Sequence, residues 1–195
     1  DAQALEEVVV VAYGTQSAEK WHIDSSKIAV MGYSAGGHLA GTVGTLWNSP
    51  LVRETLQIPS GEDRPDGMIL GYPVITSGAY THEDSIKFLL GEDRYQDEKE
   101  REKVSVEKLV NHDTPKAFLW HTFEDDLVPV ENTLKMADAL RKAGVLFEMH
   151  IYPHGPHGLA ICDETTVDVK ENLNPYAAYV SSWVEHCIRW IREVL

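Results

Sequence analysis

Lys27–Ala40, KIAVMGYSAGGHLA, limits what this chain can fold into more than any other stretch does. Ile28, Ala29, Val30 and Met31 form the short apolar run of a buried parallel strand, and the residues after it predict a helix from Ser34 to about Trp47. Between them stands Gly32-Tyr33-Ser34-Ala35-Gly36, a Gly-x-Ser-x-Gly pentapeptide. A serine on a sharp strand-to-helix turn is held in a strained backbone conformation, and only glycine-sized neighbours avoid a clash there. Its hydroxyl then stands out from the carboxyl edge of the sheet, over a helix N-terminus whose free N–H groups suit a developing oxyanion. The same residues could be a glycine-rich turn and nothing more; the strand before and the helix after favour the sharper reading.

A chain of 195 residues is long enough for one domain with a substantial core. The net charge of -14 argues against a nucleic-acid or anionic-membrane partner, since both reward a basic face. No apolar run approaches the length of a membrane span. Two cysteines, Cys162 and Cys187, make neither a disulfide framework nor a metal-binding pattern and read as buried thiols. Asp1 is neither an initiator methionine nor the start of a signal-like segment, so the natural N-terminus is expected to lie elsewhere and localisation is left open.

Along the chain, Val8–Val11 is a β-branched run that favours a strand. Ser17 to His22 reads as the last turns of a helix, with Asp24-Ser25-Ser26 as a turn before the Ile28 strand. In the helix after Ser34, Leu39, Val43 and Leu46 are expected on one side, with Gly36, Gly37, Gly41 and Gly44 allowing close approach to the sheet. A second buried strand, Met68–Tyr72, stops at Pro73. Residues 76–113 hold a short helix, Ser85–Leu90, and the charge-dense EDRYQDEKEREK, which reads as a solvated helical face or loop near the carboxyl edge. A third strand, Lys116–His121, leads to an amphipathic helix Glu131–Lys142 closed by Gly144. A fourth strand, Leu146–Tyr152, is followed by a last helix capped by Asn174 and Pro175, with Val180, Trp183, Val184, Cys187, Ile188 and Ile191 as its apolar stripe. Strands alternating with helices imply a parallel α/β sheet.

Three polar groups follow three of these strands at the edge where open α/β sheets gather ligands: Ser34, Asp125 and His157. The order Ser…Asp…His is that of an α/β-hydrolase triad. In that chemistry His157 takes the Ser34 proton during attack on an ester carbonyl, and Asp125 fixes the imidazole tautomer. The backbone N–H of Ala35 is the natural first oxyanion donor. Glu124 and Asp126 compete for the acid role, and Asp125 is favoured by its spacing to Val128-Pro129. His154 and His121 compete with His157, which is favoured by its Gly-Pro-His-Gly turn; His121 at a strand end reads as structural. His38, one turn beyond Ser34, reads as a packing or hydrogen-bonding histidine.

Ala29–Ala40, His121–Leu140 and Ala143–Leu159 resemble the bacterial α/β-hydrolases called acetyl-xylan esterase-like or BD-FAE-like, most specifically in HIYPHGPHGL and HTFEDDLVPVENTL. The likeness runs from about Ser17 to the C-terminus. It implies an α/β-hydrolase fold, a mostly parallel sheet flanked by helices, and a serine carboxylesterase acting on small acyl esters. The implied substrates are acetyl or feruloyl groups on xylan-derived carbohydrate, with no metal or organic cofactor, and Ser34, Asp125 and His157 inherit the nucleophile, acid and base roles. A serine peptidase of the same fold and a catalytically impaired binding module are the rival readings.

The chain departs from that pattern near its start. Family members carry a His-Gly-Gly-Gly-like loop before the elbow, whereas the sole Gly-Gly here is Gly36-Gly37. Only 33 residues precede Ser34, too few for the usual first strands, so an N-terminally truncated fold is expected, with one flank of the elbow strand unpaired. LEEVVVVAYGTQ resembles a segment of starch-utilisation-type outer-membrane receptors of gut bacteria, which implies a segment joined from elsewhere. The expectation is therefore a single domain over 1–195 in which residues 1–16 are atypical, fused or strand-replacing, or in which a second copy covers the open edge as a homo-oligomer.

Overall fold

The structure, a computed structural model, describes residues 18–24, 26–56, 64–163, 166 and 174–195. The strand expected at Val8–Val11 lies outside them. Numbered along the chain, the helices are α1 (Ala18–Trp21), α2 (Ser34–Leu46), α3 (Pro50–Leu56), α4 (Glu83–Leu90), α5 (Glu92–Tyr95), α6 (Glu98–Lys103), α7 (Val106–Leu109), α8 (Glu131–Ala143), α9 (Asn174–Val180) and α10 (Ser182–Glu193). The strands are β1 (Ala29–Tyr33), β2 (Gly67–Gly71), β3 (Lys116–Thr122) and β4 (Phe147–Tyr152).

All four strands are parallel and lie in sequence order, β1-β2-β3-β4, with Met31 opposite Ile69, Ile69 opposite Phe118 and Leu119 opposite Met149. Stepping repeatedly in one direction with crossovers of one hand puts the connecting helices on one face. That face is packed by Ala40 of α2, Val106 of α7 and Met136, Ala137 and Leu140 of α8 against Met68, Leu70, Ala117 and Leu119. The alternate residues Ile69, Phe118 and Trp120 point the other way and meet Val180, Trp183, Cys187 and Trp190 of the C-terminal helices. The period of two along the strands thus divides the core into two layers. Cys162 and Cys187 are free thiols buried in the second layer.

In α2 the glycines Gly37, Gly41 and Gly44 face the sheet as expected, with Ala40, Val43 and Thr45, whereas Gly36 is exposed and Leu39 and Leu46 are only half-buried. The cause is separation: a Cβ at Gly37 would sit 2.6 Å from the Pro73 Cβ, and one at Gly44 would sit 2.0 Å from Met68 Sδ. The backbone of α2 lies too close to the sheet for larger side chains to stand between them. The last helix is also two helices, broken at Ser181, where the Ser181 and Ser182 hydroxyls donate to the Ala178 and Tyr179 carbonyls and compete with the regular ladder.

Between β2 and β3 the charged stretch forms α5 and α6, neither of which buries a residue. A third small cluster, Val74, Ile86, Leu90 and Val128, ties α4 to the turn after β3. No helix among the described residues is long and apolar enough to cross a membrane.

Candidate active site

At the end of β1 the chain turns directly into α2, and Ser34 takes φ +54°, the left-handed region that a non-glycine residue enters only at a cost. Gly32 makes this turn possible, because a Cβ there would lie 2.0 Å from the Gly36 carbonyl oxygen. The Ser34 carbonyl accepts from Val74 N at 2.9 Å, which holds the elbow to the strip leaving β2. Ala35 follows in the first turn of α2, exposed, where an N–H has no acceptor within its own helix.

The end of β3 supplies Asp125 and the loop after β4 supplies His157. His157 Nε2 lies 2.8 Å from Ser34 Oγ, and His157 Nδ1 lies 2.7 Å from Asp125 Oδ2. With the carboxylate accepting, Nδ1 carries the proton, which leaves Nε2 to accept from the serine hydroxyl. Three side chains separated by up to 123 positions therefore form one hydrogen-bonded chain at one rim of the sheet. Tyr72 packs edge-on to the His157 ring at 4.8 Å, and its hydroxyl accepts from Ala160 N in the same loop.

Asp125 is buried, and its oxygens are fully engaged. Oδ1 accepts from the Leu127 and Val128 amides at 3.1 and 2.9 Å; Oδ2 accepts from His157 and from His121 Nε2 at 3.2 Å. Burial pushes this carboxyl upward, but the hydrogen bonds from His121, His157 and Val128 outweigh it and hold it well below the usual carboxylate range. His121 has one consistent tautomer: Nε2–H donates to the Val128 carbonyl at 2.9 Å and to Asp125, while Nδ1 accepts from the Thr133 hydroxyl at 2.8 Å.

The rivals occupy other positions. Glu124 and His154 pair with each other at 2.9 Å, and Glu124 also accepts from Gly155 N. Asp126 is exposed. His38, half-buried, holds the Val104 carbonyl at 2.8 Å, and desolvation lowers its pKa. Sequence patterns present His121 as a strand-end structural group and do not single out Thr133, Asn132 or Tyr72. The only hint for Asn132 and Thr133 was their place just past Asp-x-x-Val-Pro, at the start of α8.

Among the described residues, Glu148, His150 and His186 offer ligand atoms within 4.8 Å of one another. They lie between β4 and α10, apart from Ser34 in the fold. The two imidazoles stack at 4.5 Å with planes 8° apart, so their in-plane lone pairs do not converge on one point. His150 instead bonds Glu148 at 2.8 Å, and Arg189 donates to His186 Nδ1 at 3.3 Å.

A parallel α/β sheet with a strained serine at a strand-to-helix elbow, bonded to a histidine and an aspartate from later strand ends, defines an α/β-hydrolase. Within that class the chain belongs to the BD-FAE family, whose model matches residues 4–140. It is 39% identical over 163 residues to the endo-1,4-beta-xylanase B of Butyrivibrio fibrisolvens, covering 83% of this chain and 25% of that protein. It is 37% identical over 145 residues to the acetylxylan esterase of Xylanibacter ruminicola, covering 73% of this chain and 28% of that protein. Among solved structures, the acetyl ester-xyloside bifunctional hydrolase from Caldicellulosiruptor lactoaceticus superposes with a TM-score of 0.72 at 39% identity, covering 94% of this chain and 65% of that one. The chain therefore spans about a quarter of the length of the curated relatives it matches.

Proposed function

We propose that the protein is a carboxylic ester hydrolase that works through an acyl-enzyme on Ser34. The observation that carries this reading is the Ser34–His157–Asp125 chain of hydrogen bonds, 2.8 and 2.7 Å long. Ser34 Oγ attacks the ester carbonyl carbon as its proton passes to His157 Nε2. The tetrahedral oxyanion meets the Ala35 N–H at the head of α2, and losing one such donor costs about 10²–10³ in rate. Collapse breaks the bond to the alcohol oxygen, which leaves with the proton from His157. Water then attacks the acyl group, gives its proton to the same nitrogen, and the carboxylic acid departs as Ser34 recovers its hydrogen. Asp125 keeps Nδ1 protonated and stabilises the imidazolium at each stage.

The substrate we propose is a short acyl ester on xylan-derived carbohydrate, an acetyl group foremost. This rests on the similarity to an acetylxylan esterase and to an acetyl ester-xyloside bifunctional hydrolase. The test is a panel of p-nitrophenyl esters and acetylated xylo-oligosaccharides set against aminoacyl nitroanilides. Release of acetate from the oligosaccharides, lost in Ser34→Ala, is the expected result. Amide cleavage without ester cleavage would overturn the reading.

A further inference from the structure

We propose that Asn132 is a positioning residue that fixes the distance between Ser34 and Asp125, and with it the two hydrogen bonds of His157; this rests on the ester-hydrolase reading above. Asn132 is the second residue of α8 and is 0% exposed. Its amide uses its whole bonding capacity. Oδ1 accepts from the Ile75 and Thr76 N–H groups at 2.9 and 3.0 Å, and Nδ2 donates to the Tyr80 and Pro129 carbonyls at 2.8 and 3.0 Å. Two donors face the oxygen and two acceptors face the nitrogen, so a flipped amide would lose all four bonds.

These partners belong to two different parts of the site. Ile75 and Thr76 continue the strip whose Val74 N–H holds the Ser34 carbonyl and whose Pro73 lies under Gly37 of α2. Pro129 belongs to the turn whose Leu127 and Val128 amides hold Asp125. Asn132 is thus the side chain that joins the elbow's anchor to the acid's cradle. Its neighbour Thr133 supports Asp125 from the far side, through His121. His157 bridges Ser34 and Asp125 through one rigid imidazole, so a shift of the elbow strip relative to the acid turn enters its two bonds directly. Misplacement of about 1 Å costs on the order of 10²-fold in rate when reacting groups must be aligned.

The test compares Asn132→Asp, Asn132→Ser and Asn132→Ala with Leu140→Ala, a buried residue two turns along the same helix whose side chain belongs to the core layer of Ala117 and Leu119. Hydrolysis of p-nitrophenyl acetate is measured well below each melting temperature, and kcat is normalised to serines titrated with a phosphonate. The expected result is a fall in kcat of about tenfold to a hundredfold in the Asn132 variants, with KM within about threefold. Leu140→Ala should lose stability and keep its kcat. An unchanged kcat per titrated serine in a folded Asn132 variant, or failure of all three variants to fold, overturns the proposal. If wild-type protein neither labels nor hydrolyses the ester, it is the ester-hydrolase reading that fails instead.

Discussion

Asp125 and His157 carry the sharpest consequences at the scale of single residues. The Asp125 carboxyl sits far below its ordinary range in the folded protein, because its hydrogen bonds outweigh the effect of burial. A carboxyl depressed on folding contributes stability that is present above its unfolded value, about pH 4, and is lost as pH falls through the lower folded value. Asp125→Asn should therefore flatten the acid limb of the stability–pH curve, read by urea melts between about pH 2 and 5; a limb as steep as that of wild type would contradict this. At the base, His157→Ala should remove nearly all ester turnover, by about 10³-fold or more, because among the described residues His157 is the imidazole bonded to Ser34 Oγ, at 2.8 Å. His154→Ala breaks the exposed Glu124 pair and a ring contact with Tyr176 and should cost far less. Equal losses at the two positions, measured as kcat/KM, would refute that assignment.

Among the elements, the elbow and α2 make separable demands. Gly32→Ala drives a Cβ into the Gly36 carbonyl, which is backbone and cannot step aside, so folding or phosphonate labelling should be lost. Gly44→Ala meets the thioether of Met68, a flexible side chain, so labelling should persist with a stability loss of about 1–3 kcal/mol. Labelling that survives the first and fails in the second would reverse this account of the packing. The same contrast shows what the residues disclosed on their own. Strand positions were legible because Met68–Leu70 and Ala117–Trp120 are apolar runs too short for helices and bounded by turn residues. That Ser34, Asp125 and His157 meet was legible in the Gly-x-Ser-x-Gly pentapeptide, the Asp-x-x-Val-Pro spacing and the Gly-Pro-His-Gly turn that follow three of the strands. The close approach of α2 was legible in Gly37, Gly41 and Gly44, but the half-burial of Leu39 and Leu46 was not, because periodicity ranks side chains by hydrophobicity. Nor was the Asn132 junction, three of whose four partners lie 52 to 57 positions away and all of which are backbone groups that leave no trace in composition.

Across the whole molecule the C-terminal helices close one face of the sheet, and two thiols report on that closure. Burial pushes Cys162 up to about 12 and Cys187 up to about 11, so neither is a thiolate near neutral pH. Both should react with Ellman's reagent only as the α9–α10 layer opens, with rates that rise in step with unfolding in urea. Rapid reaction of either thiol in buffer would show that this layer is not docked as described. The central claim is that distant parts of the chain converge on one activated serine, and mass spectrometry after treatment with a fluorophosphonate probe addresses it most directly. A single adduct on Ser34, absent from Ser34→Ala and greatly slowed in His157→Ala, is the predicted result. Native protein that stays unmodified while a control hydrolase labels fully, or an adduct on any other residue, would contradict it.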